Sequence, residues 1–294
     1  MSAIPNGLTT TEAELSCDAA DGHRWSLLVR RPADMPRAVL TWLPALGVAA
    51  RHYLPFAEAL TAHGIATVIH EWRGSGSSSL RPDRSTDWSY AQLLAADLPV
   101  TEAAVAQAFP DTGRILGGHS LGGQLACCRL GMAPDAAGQL WLVASGAPYW
   151  RAFPSPTRWW LPMVYRFLPW LANLRGALPG RRIGFGGEEA RGLIDDWSRS
   201  ALSGQYRARH LDTDLETGMA SLSPTVRAVT LAHDWLAPRS SLDFLLSKFD
   251  RPRVHHALLD NSTLGTQADH FAWMKQPETV ARTLSGLDGP VGRD

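Results

Sequence analysis

Cysteine is scarce in this 294-residue chain: there are three, Cys17, Cys127 and Cys128. An odd count with two neighbours is neither a disulfide framework nor a metal spacing, so these read as small apolar fillers in a reducing compartment. An excess of one charge is also lacking. With 28 basic residues against 28 acidic ones there is no electrostatic footprint for a polyanion, and nucleic acid is not expected as a partner. No apolar run reaches the ~20 residues a membrane span needs. The densest stretch, APYWRAFPSPTRWWLPMVYRFLPWLANL, is interrupted by Pro162, Arg166 and Pro169, which argues against stable membrane insertion. The opening MSAIPNGLTTTEAELS has no basic start followed by an apolar core, so the expected location is the cytoplasm. Nothing speaks to oligomeric state.

What is present is a globular composition, long enough to bury about three quarters of its unfolded surface without staples. Apolar strand-like runs alternate with helical ones. AELSCDA and RWSLLVRRP read as a hairpin around Asp21-Gly22. RAVLTWLPA (37–45), IATVIHEW (65–72), GRILGGHS (113–120), AGQLWLVASG (137–146), TVRAVTLAHD (225–234) and RPRVHHALLD (251–260) read as further strands, separated by helices. One of those helices, within 87–109, is expected to be interrupted at Pro99. That alternation predicts an α/β fold: a mostly parallel sheet of the eight-stranded type with helices on both faces. Residues 147–224 break the pattern, first crowding aromatics and prolines, then turning polar and glycine-rich. They are expected to form a helical cap inserted into a core made of 1–146 and 225–294. Trp159, Trp160 and Trp170 are expected to pack or line a pocket, an interfacial role being the weaker reading.

The stretch GGHSLGG (117–123) fits G-x-S-x-G between a predicted strand and a predicted helix. A turn that sharp leaves no room for a Cβ two positions either side of the serine, which explains Gly118 and Gly122. It would lift Ser120 above the sheet and aim the Leu121 amide at any oxygen nearby, half of an oxyanion hole. A serine hydroxyl is a weak nucleophile near neutral pH and needs a base oriented by an acid. Asp234, at a strand end, and His270, before the closing helix, follow in the required order. Asp234 alone could equally be a turn or helix-cap aspartate, and His270 a loop histidine; together at strand ends they favour Ser120, Asp234 and His270 as a triad. His255 and His256 lie within a strand, His119 flanks the elbow but points off it, His52 reads as core or surface ahead of a residue bordering the pocket, and His23, His63 and His210 read as turn or surface residues. The second oxyanion donor is expected from the loop LPALGV, at the amide of Leu46. A dinucleotide reading of RGSGSS (73–78) fails because no third spaced glycine opens a helix, and no GK[ST] follows the elbow. No cofactor or metal is expected.

Together these residues resemble the α/β-hydrolase superfamily. The stretch LPALGVAARHYLPFAEALTAHGIATVIHEWRGSGSSS is similar to the family's passage from oxyanion strand to D-x-R-G-x-G-x-S loop, AHDWLAP to its acid loop and DHFAWM to its histidine loop. Within it the chain most resembles the predicted hydrolases near monoacylglycerol lipases and serine aminopeptidases. The resemblance implies Ser120 as nucleophile, Asp234 as acid, His270 as base, and Leu46 and Leu121 as oxyanion donors. Three positions depart from the pattern: Pro44-Ala45 replaces the frequent His-Gly, Glu71 stands where Asp is usual, and Asp269 replaces Gly. The expected activity is hydrolysis of a small apolar or lipid-like carboxylic ester through an acyl-enzyme. Alternatives are acyl transfer to another acceptor, and an aminopeptidase-like reaction whose amine site would draw on Glu188-Glu189 or Asp195-Asp196. A non-catalytic binding protein is the reading from another class, disfavoured by the intact triad types. Ser120 itself excludes dehalogenase and epoxide hydrolase chemistry, which place a carboxylate at the elbow.

Overall fold

The computed structural model describes residues 11–286. Its strands are β1 (Thr11–Asp18), β2 (Arg24–Arg31), β3 (Ala38–Leu43), β4 (Ile65–Ile69), β5 (Gly113–His119), β6 (Gln139–Val143), β7 (Leu178–Pro179), β8 (Glu188–Glu189), β9 (Thr225–Leu231) and β10 (Arg253–Leu259). Eight of them form one sheet in the order β1-β2-β4-β3-β5-β6-β9-β10, while β7 and β8 pair separately. β2 runs antiparallel to both β1 and β4. The other pairs are parallel, so the expected mostly parallel sheet is mixed at one edge.

Burial follows position in the sheet. β4 is buried at every residue and β3 at all but Ala38, because helices cover both faces there. β2 alternates, as a strand with one better-covered face does, and the edge strand β10 is mostly half-buried. On one face, Leu125, Ala126 and Cys127 of the helix Leu121–Met132 share a core with Leu161, Tyr165 and Ile194 of the segment between β6 and β9. On the other, Trp42, Tyr53, Phe56 and Trp273 pack together. Removing a large side chain from such a site costs about 3–5 kcal/mol.

The interruption expected at Pro99 is a widened π turn, Leu93–Asp97, which leads directly into the helix Leu98–Ala108. Proline has no N–H to donate and its ring crowds the carbonyl four residues back. A π turn just before it absorbs both demands, so the chain stays helical. The three cysteines are buried, and burial pushes the Cys17 thiol up to about 11 and raises those of Cys127 and Cys128 as well. They are inert packing groups.

Between β6 and β9 lie two long helices, Thr157–Arg175 and Arg191–Ser203, packed against each other. Each ends on a left-handed glycine, Gly176 (φ 94°) and Gly204 (φ 75°). The β7–β8 ladder joins them.

Candidate functional site

β5 enters the elbow at Gly117-Gly118 and the helix Leu121–Met132 leaves it, with Ser120 between at φ 54° and ψ −119°. A non-glycine residue in that region stores roughly 1–3 kcal/mol of strain. Neighbouring glycines allow it. A Cβ on Gly118 would lie 2.4 Å from the Gly122 carbonyl carbon, and one on Gly122 would lie 2.0 Å from the Leu43 oxygen. Ser120 is half-buried at a helix N-terminus, where the backbone dipole favours negative charge.

Asp234 follows β9 and uses its two oxygens differently. Oδ1 accepts from the amides of Leu236 and Ala237 at 2.9 and 3.0 Å, and Oδ2 accepts from His270 Nδ1 at 2.8 Å. The turn aspartate and the histidine partner are thus one residue, the turn fixing the carboxylate that orients the ring. That contact assigns the proton to Nδ1 and leaves Nε2 free as an acceptor. Asp269, where the resemblance would place glycine, accepts from the amides of Phe271 and Ala272 at 2.9 and 2.7 Å. It caps the turn that carries His270, which accounts for the departure.

Ser120 and His270 line the same cavity, of about 310 Å³, together with Leu46 and Leu121. Among the described residues Ser120 Oγ has no hydrogen-bond partner, so its bond to His270 is open; such contacts commonly tighten only with substrate bound. Neither the Leu46 nor the Leu121 amide donates to a protein acceptor among the described residues. The rest of the wall is mostly apolar: Phe153, Trp160, Ile183, Phe185, Trp197 and Trp235 contribute, Gln124 adds a buried amide whose Oε1 has no hydrogen-bond partner among the described residues, and no Asp, Glu, Lys or Arg lines it.

The loop that holds Leu46 is braced from below. Tyr53 Oη accepts from the Ala45 amide at 2.9 Å and donates to His119 Nδ1 at 2.9 Å, and the Trp72 indole donates to the Pro44 carbonyl at 2.8 Å. His119 is buried, and burial, aided by nearby His270, drives its pKa well down, so it stays neutral. Its ring lies 4.8 Å from that of His270. Nothing in the sequence pattern joins Tyr53 to His119 across 66 positions.

Other expectations are corrected. His23, expected in a turn or at the surface, is fully buried; it contacts Asp97 Oδ1 at 3.1 Å and Ser78 Oγ at 3.0 Å. Arg73 donates to both Asp97 oxygens at 2.7 Å, so RGSGSS is a structural lock. Trp159 and Trp170, expected to pack or line the pocket, are 63% and 58% exposed, and Phe167 between them is 49% exposed. Only one of the three expected tryptophans, Trp160, lines the cavity.

The paired acids do not reach the cavity either. Glu189 accepts from the Gly187 amide at 2.7 Å, Asp196 from the Tyr90 amide at 3.1 Å, and Asp195 pairs with Arg209 at 2.6 Å. Glu188 is exposed on β8.

A family model described as Hydrolase_4, serine aminopeptidase S33, matches residues 34–240. That span includes Ser120 and Asp234 and stops before His270. Among solved structures, the esterase domain of a Rhodothermus marinus protein aligns with a TM-score of 0.62 at 16% identity, covering 94% of this chain and 97% of that one. The monoacylglycerol lipase of Paleococcus ferrophilus gives 0.58 at 12% identity, covering 96% and 100%. The N-formylmaleamic acid deformylase of Pseudomonas putida S16 gives 0.56 at 17%, covering 92% and 99%. At these identities the likeness is one of fold. No curated protein matches the sequence.

Proposed function

Since the chain belongs to the Hydrolase_4 (serine aminopeptidase S33) family of α/β-hydrolases, we propose that it hydrolyses carboxylic esters with an apolar acyl or alcohol part through an acyl-enzyme on Ser120. The observation that carries the reading is the largely apolar cavity, free of Asp, Glu, Lys and Arg, with a strained serine and an aspartate-oriented histidine on its wall.

In this mechanism Ser120 Oγ attacks the ester carbonyl carbon while His270 Nε2 takes its proton. Asp234 holds the tautomer and stabilises the imidazolium. The amides of Leu121 and Leu46 receive the oxyanion; one such donor contributes about 3 kcal/mol to the transition state. His270 then returns the proton to the departing alcohol, and water repeats the sequence in reverse roles to release the acid. Residues 147–224 act as the cap, supplying Trp160, Ile183 and Trp197 to the binding wall.

An aminopeptidase-like reaction is disfavoured, because a substrate ammonium needs a carboxylate and none lines the cavity. The test is a series of chromogenic esters of increasing acyl length, alongside aminoacyl arylamides and labelling by a fluorophosphonate. Ester turnover rising beyond acetate, with one label on Ser120, is expected. Preference for arylamides, or labelling that survives Ser120→Ala, would overturn the reading.

A further inference from the structure

The helix Thr157–Arg175 is apolar on two sides. Leu161, Tyr165, Leu168 and Ala172 are buried in the core beneath it. Trp159, Trp160, Met163, Phe167, Trp170 and Leu174 are exposed, Met163 at 69%. At about 100° per residue these six fall in one sector roughly 100° wide, opposite the buried face. An ordinary surface helix puts polar residues there. Exposed apolar stripes of this size mark interaction surfaces.

Two further observations say what covers it. First, the stripe is continuous with the cavity: Trp160, Ile183, Trp235 and Phe271 are each both exposed and part of the cavity wall, and Trp160 and Trp235 touch across the mouth with ring centroids 5.9 Å apart. Second, the charge carried by the stripe's own segment has one sign. No Asp or Glu occurs between Asp135 and Glu188, while Arg158, Arg166, Arg175, Arg181 and Arg182 lie on the helix or just after it. None of the five forms an ion pair among the described residues, and Arg166, Arg175, Arg181 and Arg182 are exposed. In a chain of balanced charge this is a local basic rim around a tryptophan-rich apolar face.

We propose that this helix face docks on an anionic lipid surface and sets the cavity mouth against it, so that the ester enters from the lipid layer. Tryptophan suits the boundary, its ring body apolar and its N–H wet. The arginines match anionic headgroups. Docking is peripheral: among the described residues no helix is long and apolar enough to cross a membrane. The delivery of substrate rests on the ester-hydrolase reading; docking itself does not.

The full chain is sedimented with vesicles of phosphatidylcholine alone and of phosphatidylcholine mixed with phosphatidylglycerol, at low and high salt. Binding to the mixed vesicles, weakened by salt, is expected, with weaker binding to phosphatidylcholine. The double variant Trp159→Ser/Trp170→Ser should lose at least about tenfold in vesicle affinity. Arg166→Gln and Arg182→Gln should each lose about fivefold on the anionic vesicles only. These side chains are exposed and outside the cavity wall, so melting temperature and turnover of a short soluble ester should hold. Ser120→Ala should bind vesicles like the wild type, which separates a failure of docking from a failure of the hydrolase reading. Absence of binding to the mixed vesicles would overturn the proposal. So would light scattering that shows a dimer lost in the double tryptophan variant, because a second copy would then be the cover.

Discussion

Two Ser–His–Asp constellations lie among the described residues, and the one with the more complete hydrogen bonds is not at the cavity. Ser78, His23 and Asp97 are joined by contacts of 3.0 and 3.1 Å, with every member buried. Ser120, His270 and Asp234 have only the histidine–aspartate contact closed. Yet Ser78 Oγ also accepts from the amides of Gly74 and Leu80 at 3.1 and 3.2 Å, and Asp97 is held by Arg73. Its capacity is spent on fastening a loop. Ser120 stands at positive φ, unbonded, on a cavity wall with free amides beside it. The proposed function therefore rests on access, backbone strain and unspent donors at Ser120, rather than on the presence of a hydrogen-bonded triad.

The sharpest break of this comparison is the pair of serine variants. Ser120→Ala should lower kcat/KM for an aryl ester on the order of 10⁶-fold with little change in unfolding midpoint. Ser78→Ala should leave turnover intact and cost about 1–3 kcal/mol of stability, because buried amides lose an acceptor. Equal activity losses would erase the distinction.

The acids give the next contrast. Asp234→Asn should reduce kcat about 10⁴-fold by admitting the wrong histidine tautomer. Asp97→Asn leaves the buried Arg73 guanidinium with only Asp21 for a charge partner among the described residues, and urea titration should register a loss of about 3–5 kcal/mol. Kinetics on the folded fraction should stay close to wild type.

A smaller test compares how burial treats two carboxylates. Burial by itself would raise Asp97, but hydrogen bonds from His23 and Arg73, and the Arg73 charge, hold it below the usual range. Its stabilisation is present near neutral pH and is lost as pH falls through that lowered value. Glu189 accepts one amide bond and, among the described residues, forms no ion pair; burial raises it to about 7 against the smaller opposing effects of the Gly187 amide and the Arg181 charge. The folded state then binds more protons than the unfolded chain between its ordinary value of 4.5 and about 7, so stability falls as pH rises across that window. Glu189→Gln should flatten the decline, a difference of about 3 kcal/mol above pH 7. A wild-type stability curve already flat from pH 5 to 7 would count against it.

The smallest effect concerns the brace beneath the site. Tyr53→Phe unpairs the Ala45 amide and His119 Nδ1, and should cost about 1–3 kcal/mol of stability. A fall in kcat with KM unchanged would mean that the brace also positions Leu46; a loss of stability alone would make it purely structural.

Much of the fold was legible because its signals are local. Glycines at 118 and 122 are demanded by atoms within a few residues or on the adjacent strand, and Pro99 by its own ring. The contacts among Tyr53, His119 and Ala45, and those of His23 with Asp97, were not legible, since histidine carries no mark of its distant partner. The tryptophans at 159 and 170 misled for a related reason. An aromatic-rich helix reads as core unless one knows which side the core occupies.

By itself the sequence determined the order of the eight strands of the main sheet, though not the β7–β8 ladder, together with the elbow around Ser120 and the spacing that brings an acid and a histidine to strand ends. Steric limits and side-chain period act over short distances, so they survive without coordinates. Only the tertiary structure decided that Asp234 divides its two oxygens between a turn and His270. It also decided that Ser78 is locked while Ser120 is open, and that six apolar side chains of one helix face outward. Those outcomes depend on what packs against each group from elsewhere in the chain, and a one-dimensional pattern does not encode it.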